Sequence, residues 1–318
     1  MYDLIIIGGG PAGLTAAIYA LRKRLDVLLI AKDLGGKTNW RLQVPDVQQH
    51  LVVNGEEVVN RFVNEIHYLD FARVIDKVEK VEPIAGGYRV FTRGGRDHEH
   101  LPATYEAKAL IVATGTQGKF LNVPGEREYL MRGLCFSAMS YASLFIDKTG
   151  IVVGDTKLAL VAALELAQIA KHVTLVAPTH GELDTPMGLH LQALPNVLIL
   201  EGYAPVQVNG DEFARSLVVK KNGDQRELAT DVIFVELGLK PNSDFLANLI
   251  ELELDGRIKI DNNNRTSLAG IFAAGDVTNV YAEQVLIAIG EGAKAALAAY
   301  EYLLAQPMEE TSGASEWR

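Results

Sequence analysis

Cysteine is almost missing from this chain: Cys135 stands alone among 318 residues. A disulfide within the chain is excluded, and so is any chemistry that needs two thiols of one chain. Long apolar runs are missing as well. The most apolar helical stretch, Leu158 to Ala170, is interrupted by Glu165 and Gln168 and is too short to span a bilayer. Positive charge is in deficit, with 30 Lys and Arg against 40 Asp and Glu, a formal charge of -10. That balance argues against nucleic acid as a partner. The short basic run Arg22-Lys23-Arg24 reads as a solvated helix end. No basic leader precedes the first strand, so a cytoplasmic location away from membranes is expected. No metal centre is expected either.

What is present is ordinary for a globular protein, 48% apolar and 22% charged residues, in a chain long enough for two cores. Short Val, Ile and Leu runs alternate with helical patterns, the rhythm of a parallel-sheet α/β protein. Strands are expected at Leu4–Ile7, Asp26–Ile30, Arg73–Val81 and Tyr88–Thr92, with a buried run at Ala109–Gly115 and a helix over Pro11–Arg24. A second strand–helix–strand unit runs from Gly150–Gly154 through Lys157–Lys171 to Val173–Val176. A strand at Asp231–Leu237 follows, then Gly270–Asp276, a strand ending in an acid, and a closing helix from Glu283 to about Ala305. The fold class expected is α/β, with two Rossmann-like, three-layer nucleotide-binding domains, the second inserted in the first. The boundaries are 1–115 with 241–318 for the first domain and 116–240 for the second, with Gly- and Pro-bearing stretches as hinges. The polar tail Pro307–Arg318 has the composition of a disordered segment.

The chemistry begins at Gly8, Gly10 and Gly13, a G-x-G-x-x-G that follows a strand and opens a helix. The first glycine permits a tight turn, the second lets backbone approach a pyrophosphate, and the third packs helix on strand. Pro11 and Ala12 lie between them, at the start of a helix whose free N–H groups and positive dipole end suit phosphate. The acid expected to grip a ribose hydroxyl has one candidate, Asp33, which equally reads as a turn aspartate before Gly35-Gly36.

Taken together, Gly8–Gly13, Gly35-Gly36, Ala113-Thr114-Gly115, Gly238-Leu-Lys-Pro241-Asn242 and Gly275-Asp276 with Glu283-Gln284-Val285 resemble the FAD-dependent pyridine nucleotide–disulfide oxidoreductases, above all thioredoxin reductase. The resemblance spans nearly the whole chain in the family's order. It implies FAD as cofactor, with Asp276 on the ribityl chain and Gln284 and Val285 on the flavin O2 side. A helix start facing that side would stabilise the anion of a reduced flavin. The FAD set it implies is completed by Gly36, Lys37, Asn39, Val78, Ala113, Thr114, Gly115 and Gly275. A homodimer is expected from the family.

Two parts of the family pattern fail. Where thioredoxin reductase has Cys-x-x-Cys, this chain has Ser137-Ala-Met-Ser140, followed by Tyr141 in place of an acid. A hydroxyl cannot undergo disulfide exchange, so no catalytic residue is assigned. Cys135, two residues earlier, reads as a small buried hydrophobe. The second glycine fingerprint is Gly154-Asp155-Thr156-Lys157-Leu158-Ala159: Thr156 replaces the glycine that admits pyrophosphate, and Asp155 adds negative charge. His180 stands where arginines would select a 2′-phosphate, and reads as a loop histidine. Phe136, Tyr141 and Tyr203 suit either stacking on a planar ring or core packing.

These departures leave several functions open. One is a flavin oxidoreductase fed by a ferredoxin- or flavodoxin-type donor. Another is a diflavin protein with a second FAD, or another nucleotide, in the former NADPH pocket. A ferredoxin–NADP reductase-like enzyme is a third, which Thr156 disfavours. A non-catalytic flavoprotein sensor or scaffold is the fourth. Trp317 in the tail and Trp40 near the second glycine turn are candidates to cover a flavin face.

Overall fold

The structure, a computed structural model, describes residues 1–40, 42–43, 55–67, 72–94 and 103–306. Trp317 lies outside the described residues. The chain divides into two compact units, one drawn from Met1–Asn39, Asn54–Thr116 and Pro241–Arg318, the other from Trp40–Val53 and Gln117–Lys240. The division sets Trp40, Leu42 and Gln43 with the second unit, whereas the sequence boundaries leave them in the first. The cause is local: Gln43 N–H donates to the Met131 carbonyl at 2.8 Å, and Leu42 packs in one apolar cluster with Cys135 and Phe145.

The first unit is built on a seven-stranded sheet. Its parallel half starts from Tyr2–Ile7, where Leu4 to Ile7 are all buried, the signature of a strand covered on both faces. That strand lies between Val27–Ala31 and Thr104–Val112, parallel to both. Ile271–Ala273 adds a parallel partner to the far end of Thr104–Val112. The near end of Thr104–Val112 turns antiparallel with Gly87–Thr92, whose alternating burial marks a half-covered strand.

The stretch expected as one strand over 73–81 is two. Arg73–Ile75 pairs parallel with Leu29–Ala31, and Val78–Ile84 pairs antiparallel with Gly87–Thr92. Asp76 makes the break, its carboxylate accepting from the N–H groups of Lys77 at 2.6 Å and Gly94 at 3.1 Å.

Helices Pro11–Arg22, Gly55–His67 and Val285–Leu304 cover one face of this sheet. The first and last cross closely because the last buries a stripe of small residues, Ala288, Gly292, Ala295 and Ala299. A Cβ on Gly292 would stand 2.1 Å from the Ala12 carbonyl oxygen, so this crossing admits only glycine.

In the second unit five parallel strands run in the order Val197–Glu201, His172–Ala177, Thr149–Val153, Val232–Val235, Leu134–Cys135. Helix Lys157–Ala167 covers one face. An antiparallel trio, Ala204–Gly210, Ala214–Lys221 and Asp224–Ala229, covers the other. Both units are Rossmann-type, and in each the strand that opens the fingerprint has parallel partners on both sides. The crevice at its carboxyl end is where such sheets bind ligands. No described helix is long and apolar enough to cross a membrane.

Candidate functional site

In the first unit three loops leave the carboxyl edge of the sheet together. Gly8 N–H donates to the Ile30 carbonyl, Ala113 N–H to that of Ile7, and Ala274 N–H to that of Val112, each at 2.8 to 2.9 Å. This ladder sets the turns beginning at Gly8, Ala113 and Ala274 side by side. Gly8 has φ +121°, and a Cβ there would lie 2.2 Å from the Ala113 carbonyl oxygen. Gly13 is equally constrained, a Cβ falling 1.8 Å from the Gly8 carbonyl oxygen.

Gly10 differs. It has ordinary φ and ψ of -74° and -177°, and a Cβ would meet nothing within 4 Å. The first and third glycines are thus demanded by packing, the second by nothing among the described residues. That is the pattern expected where a ligand takes the space. The helix that follows has Pro11 at its first position, no acid in its first turn and no side chain capping it. Its leading N–H groups and positive dipole end meet no internal anion from such a cap. These residues fit the pyrophosphate of a dinucleotide.

Around this turn the other sequence-assigned residues fall into place unevenly. Ala12 is buried, its carbonyl against Gly292. Asp33 accepts from the Gly36 N–H at 3.1 Å, so its carboxylate caps the turn that carries Gly36. Gly36, at φ +59°, approaches the Cα of Gly10, where a Cβ would come to 3.2 Å. Asn39 donates from Nδ2 to the Leu34 carbonyl and braces the same turn. Thr114 donates its hydroxyl to the Asn242 carbonyl at 2.8 Å, and Asn242 N–H donates back to Gly115. Gly115 and Gly275 take left-handed φ values of +65° and +75°. Gln284 is the N-cap of the last helix, with extended backbone, and Val285 is its first residue. Val78 lies three residues beyond the strand end at Ile75, opens the next strand, and is buried in the core on the face opposite the helices.

Lys37 and Asp276 meet directly, Nζ to Oδ2 at 2.6 Å. Glu283 joins them, 3.0 Å from the same ammonium, and Arg257 binds the other Glu283 oxygen at 2.5 Å. The Thr116 hydroxyl accepts from Lys37 and donates to Glu283. Burial pushes the Asp276 carboxyl above the usual carboxylate range, with the Lys37 ammonium pulling it down and Glu283 adding to the rise. Burial works against the charge of Lys37, and its two carboxylate partners more than offset that, so its pKa is raised. Sequence reasoning assigned no role to Thr116, Glu283 or Arg257. Glu283, an acid just before a helix start, carried a signal of the dipole kind. Arg257, in an Asp-Gly-Arg turn, carried none.

The matching edge of the second unit is built differently. Gly154 keeps its role, with φ +153° and a Cβ position 2.4 Å from the Glu236 carbonyl oxygen. The loop 179–182 lies against Asp155, while Thr156 and Lys157 stay exposed. The Asp155 carboxylate accepts from Thr179 through both N–H and hydroxyl, at 3.0 and 2.7 Å, and its carbonyl accepts from Glu182 N–H at 2.8 Å. Gly181 lies so close that a Cβ would stand 2.0 Å from the Asp155 oxygen. The Glu182 carboxylate then accepts from the Lys157 N–H at 3.0 Å. The first amide of helix Lys157–Ala167 thus already holds an anion, which sequence reasoning missed. His180 is held between Asp184 at 2.9 Å and Glu201 at 3.1 Å, and those hydrogen bonds, Asp184 first, raise its pKa.

Also in the second unit, the Ser137 hydroxyl donates to Ser140 Oγ at 2.8 Å. Cys135 is fully buried, and burial pushes its thiol well above the ordinary range, so it is no nucleophile. Phe136 packs against Trp40 and Phe120, with ring centres 6.2 and 5.0 Å away. The Tyr141 hydroxyl donates to the Trp40 carbonyl, and buried Tyr203 donates to Asp224. Among the described residues no group of His, Cys, Asp and Glu is arranged to hold a metal.

Two Rossmann-type units, one carrying an open glycine turn beside Gly275-Asp276, define a dinucleotide-binding protein of the thioredoxin-reductase build. Similarity to known proteins makes this specific. A model of the family described as pyridine nucleotide-disulphide oxidoreductase matches residues 2–292. The F component of the alkyl hydroperoxide reductase of Pseudomonas putida is 34% identical over 310 residues, 95% of this chain and 58% of that protein. The chain thus spans little more than half the length of the curated relatives it matches. The thioredoxin reductase of Streptococcus pyogenes MGAS5005 superposes with a TM-score of 0.84 at 30% identity, covering 96% of this chain and 99% of that one. The enzyme of Giardia duodenalis gives 0.82 at 27% identity, covering 95% and 99%. The chain belongs to the pyridine nucleotide-disulphide oxidoreductase family, a family of flavin-dependent oxidoreductases.

Proposed function

We propose that this chain is an FAD-containing oxidoreductase whose flavin takes electrons singly from a ferredoxin- or flavodoxin-type protein instead of a hydride from NAD(P)H. The open turn at Gly10, with Asp276, Gln284 and Val285 beyond it, would hold the FAD, and Asp33 is the acid at hand for its ribose. When bound, the flavin supplies the chemistry: it accepts electrons one at a time and releases a pair. The protein's part is to bind it, orient it and set the charge around it.

The observation that carries the donor half of this reading is Glu182 on the Lys157 N–H. A pyrophosphate entering the second unit would have to displace that carboxylate and lie beside Asp155, two like charges at close range. Each such charge at about 5 Å opposes a phosphate charge by about 1 to 3 kcal/mol at effective dielectric constants between water and a protein surface. The same closed turn counts against a second FAD there. The exit from flavin is altered too: with Ser137 and Ser140 where the family has thiols, electrons leave by a route other than an internal dithiol.

Anaerobic mixing tests the proposal. Reduced ferredoxin is expected to bleach the flavin band, while NADPH and NADH are expected to leave it unchanged. Rapid bleaching by either nicotinamide would overturn the donor assignment, and no bleaching by any donor would favour the non-catalytic sensor or scaffold.

A further inference from the structure

Four charged groups from distant parts of the first unit meet at its carboxyl edge: Lys37, Arg257, Asp276 and Glu283. Their formal charges cancel. Asp276, Glu283 and Arg257 have side chains only 15 to 19% exposed, and Lys37 is the outermost at 42%. Its ammonium has three hydrogens and three partners: Asp276 at 2.6 Å, Glu283 at 3.0 Å and the Thr116 hydroxyl at 2.9 Å.

Turn chemistry does not require a lysine here. The turn is already shaped by Gly35 and Gly36 and braced by Asp33 and Asn39. Fixing a long, flexible side chain costs rotamer entropy. The cation is therefore held for what it does to its neighbours. Arg257 reaches Glu283 and the Asp276 carbonyl, at 2.5 and 2.8 Å. Among the described residues, Lys37 is the cation that engages the Asp276 carboxylate itself.

We propose that Lys37 is a positioning residue for the flavin: it holds the Asp276 carboxylate in place for the ribityl chain and supplies the positive charge that balances this edge when the flavin gains negative charge on reduction. Without it, Asp276 and Glu283 face one cation, and a reduced flavin adds further negative charge to a weakly hydrated corner. The proposal rests on FAD lying along this edge, and the experiment separates the two ideas.

The FAD content of the purified wild-type protein comes first; a chain that takes up no FAD fails the underlying reading, whatever Lys37 does. In FAD-loaded protein, Lys37→Gln removes the charge and keeps hydrogen-bonding capacity, Lys37→Arg keeps the charge, and Lys37→Gln with Glu283→Gln restores the balance. The readout is the flavin midpoint potential, taken by equilibration with a reference dye. Lys37→Gln is expected to shift the oxidised-to-reduced ratio about tenfold toward oxidised flavin, about 30 mV for a two-electron couple. Lys37→Arg and the double variant are expected to return most of it. A Lys37→Gln potential equal to wild type, or a double variant as displaced as the single one, would overturn the proposal.

Discussion

The cleanest perturbation of the glycine turn is a pair of single-methyl additions. At Gly10 the backbone lies in a region open to alanine, and the added Cβ meets nothing within 4 Å. Alanine is a poorer N-cap than glycine, a cost of a few tenths to about 1 kcal/mol. It also restricts the unfolded chain, a gain of about 0.4 to 1 kcal/mol. The two nearly cancel, so FAD-free Gly10→Ala should match wild type in stability to within about 1 kcal/mol. At Gly13 the new Cβ would lie 1.8 Å from the Gly8 carbonyl oxygen. Backbone must move to relieve that, at a cost near the upper end of the roughly 1 to 3 kcal/mol typical of overpacking.

Cofactor binding should separate the two variants in the opposite sense. If pyrophosphate lies against Gly10, a methyl there displaces it from the helix N–H groups, and charge-assisted hydrogen bonds worth about 1.5 to 3 kcal/mol are weakened. Affinity should then fall about ten- to a hundredfold. At saturating ligand the wild type gains about 2.7 kcal/mol when free FAD is a hundred times Kd, and Gly10→Ala loses about half of that increment for a tenfold weaker affinity and most of it for a hundredfold one. Apo thermal melts and a flavin-fluorescence titration read both quantities. Gly10→Ala binding FAD within about threefold of wild type would refute the placement of the pyrophosphate. An unfolded apo Gly10→Ala would refute the packing argument.

Other expectations are more local. Ser137→Cys with Ser140→Cys puts two sulfurs where the hydroxyls are 2.8 Å apart, close enough to bond after small adjustments. Oxidised double variant, denatured and titrated for thiols, should show Cys135 alone; three free thiols would contradict the geometry. Cys135 itself should resist alkylation in the native protein and react on unfolding. Its thiol is raised by burial in the folded state, so the unfolded chain loses its proton first as pH climbs. Wild type should therefore lose stability relative to Cys135→Ala above the ordinary thiol range, with a limiting slope of about 1.4 kcal/mol per pH unit. Parallel pH curves for the two proteins would contradict the burial argument.

How far the sequence reached depends on how local each signal is. The fingerprint Gly8–Gly13 was legible because glycine spacing and strand–helix order lie within one short segment, and Asp276 was reached through the family resemblance of Gly275-Asp276. Their convergence on one sheet edge then follows from parallel pairing. The charge cluster was not legible, because Lys37 and Glu283 are 246 positions apart and Arg257 has no motif around it. Glu182 was hidden for another reason. Its carboxylate reaches the Lys157 amide only because Gly181 takes φ +48° and lays the loop on Asp155, which no side-chain pattern announces. The break within 73–81 was missed because one buried aspartate, Asp76, overrides a run of strand-forming residues.

On the proposed reading, one carboxyl edge takes a dinucleotide and the other is closed to one. Heat release of the cofactors, with identification and a count per chain, tests both halves at once. One FAD per chain and no second nucleotide is the predicted result. Two flavins per chain, or a co-purified pyridine nucleotide, would contradict it.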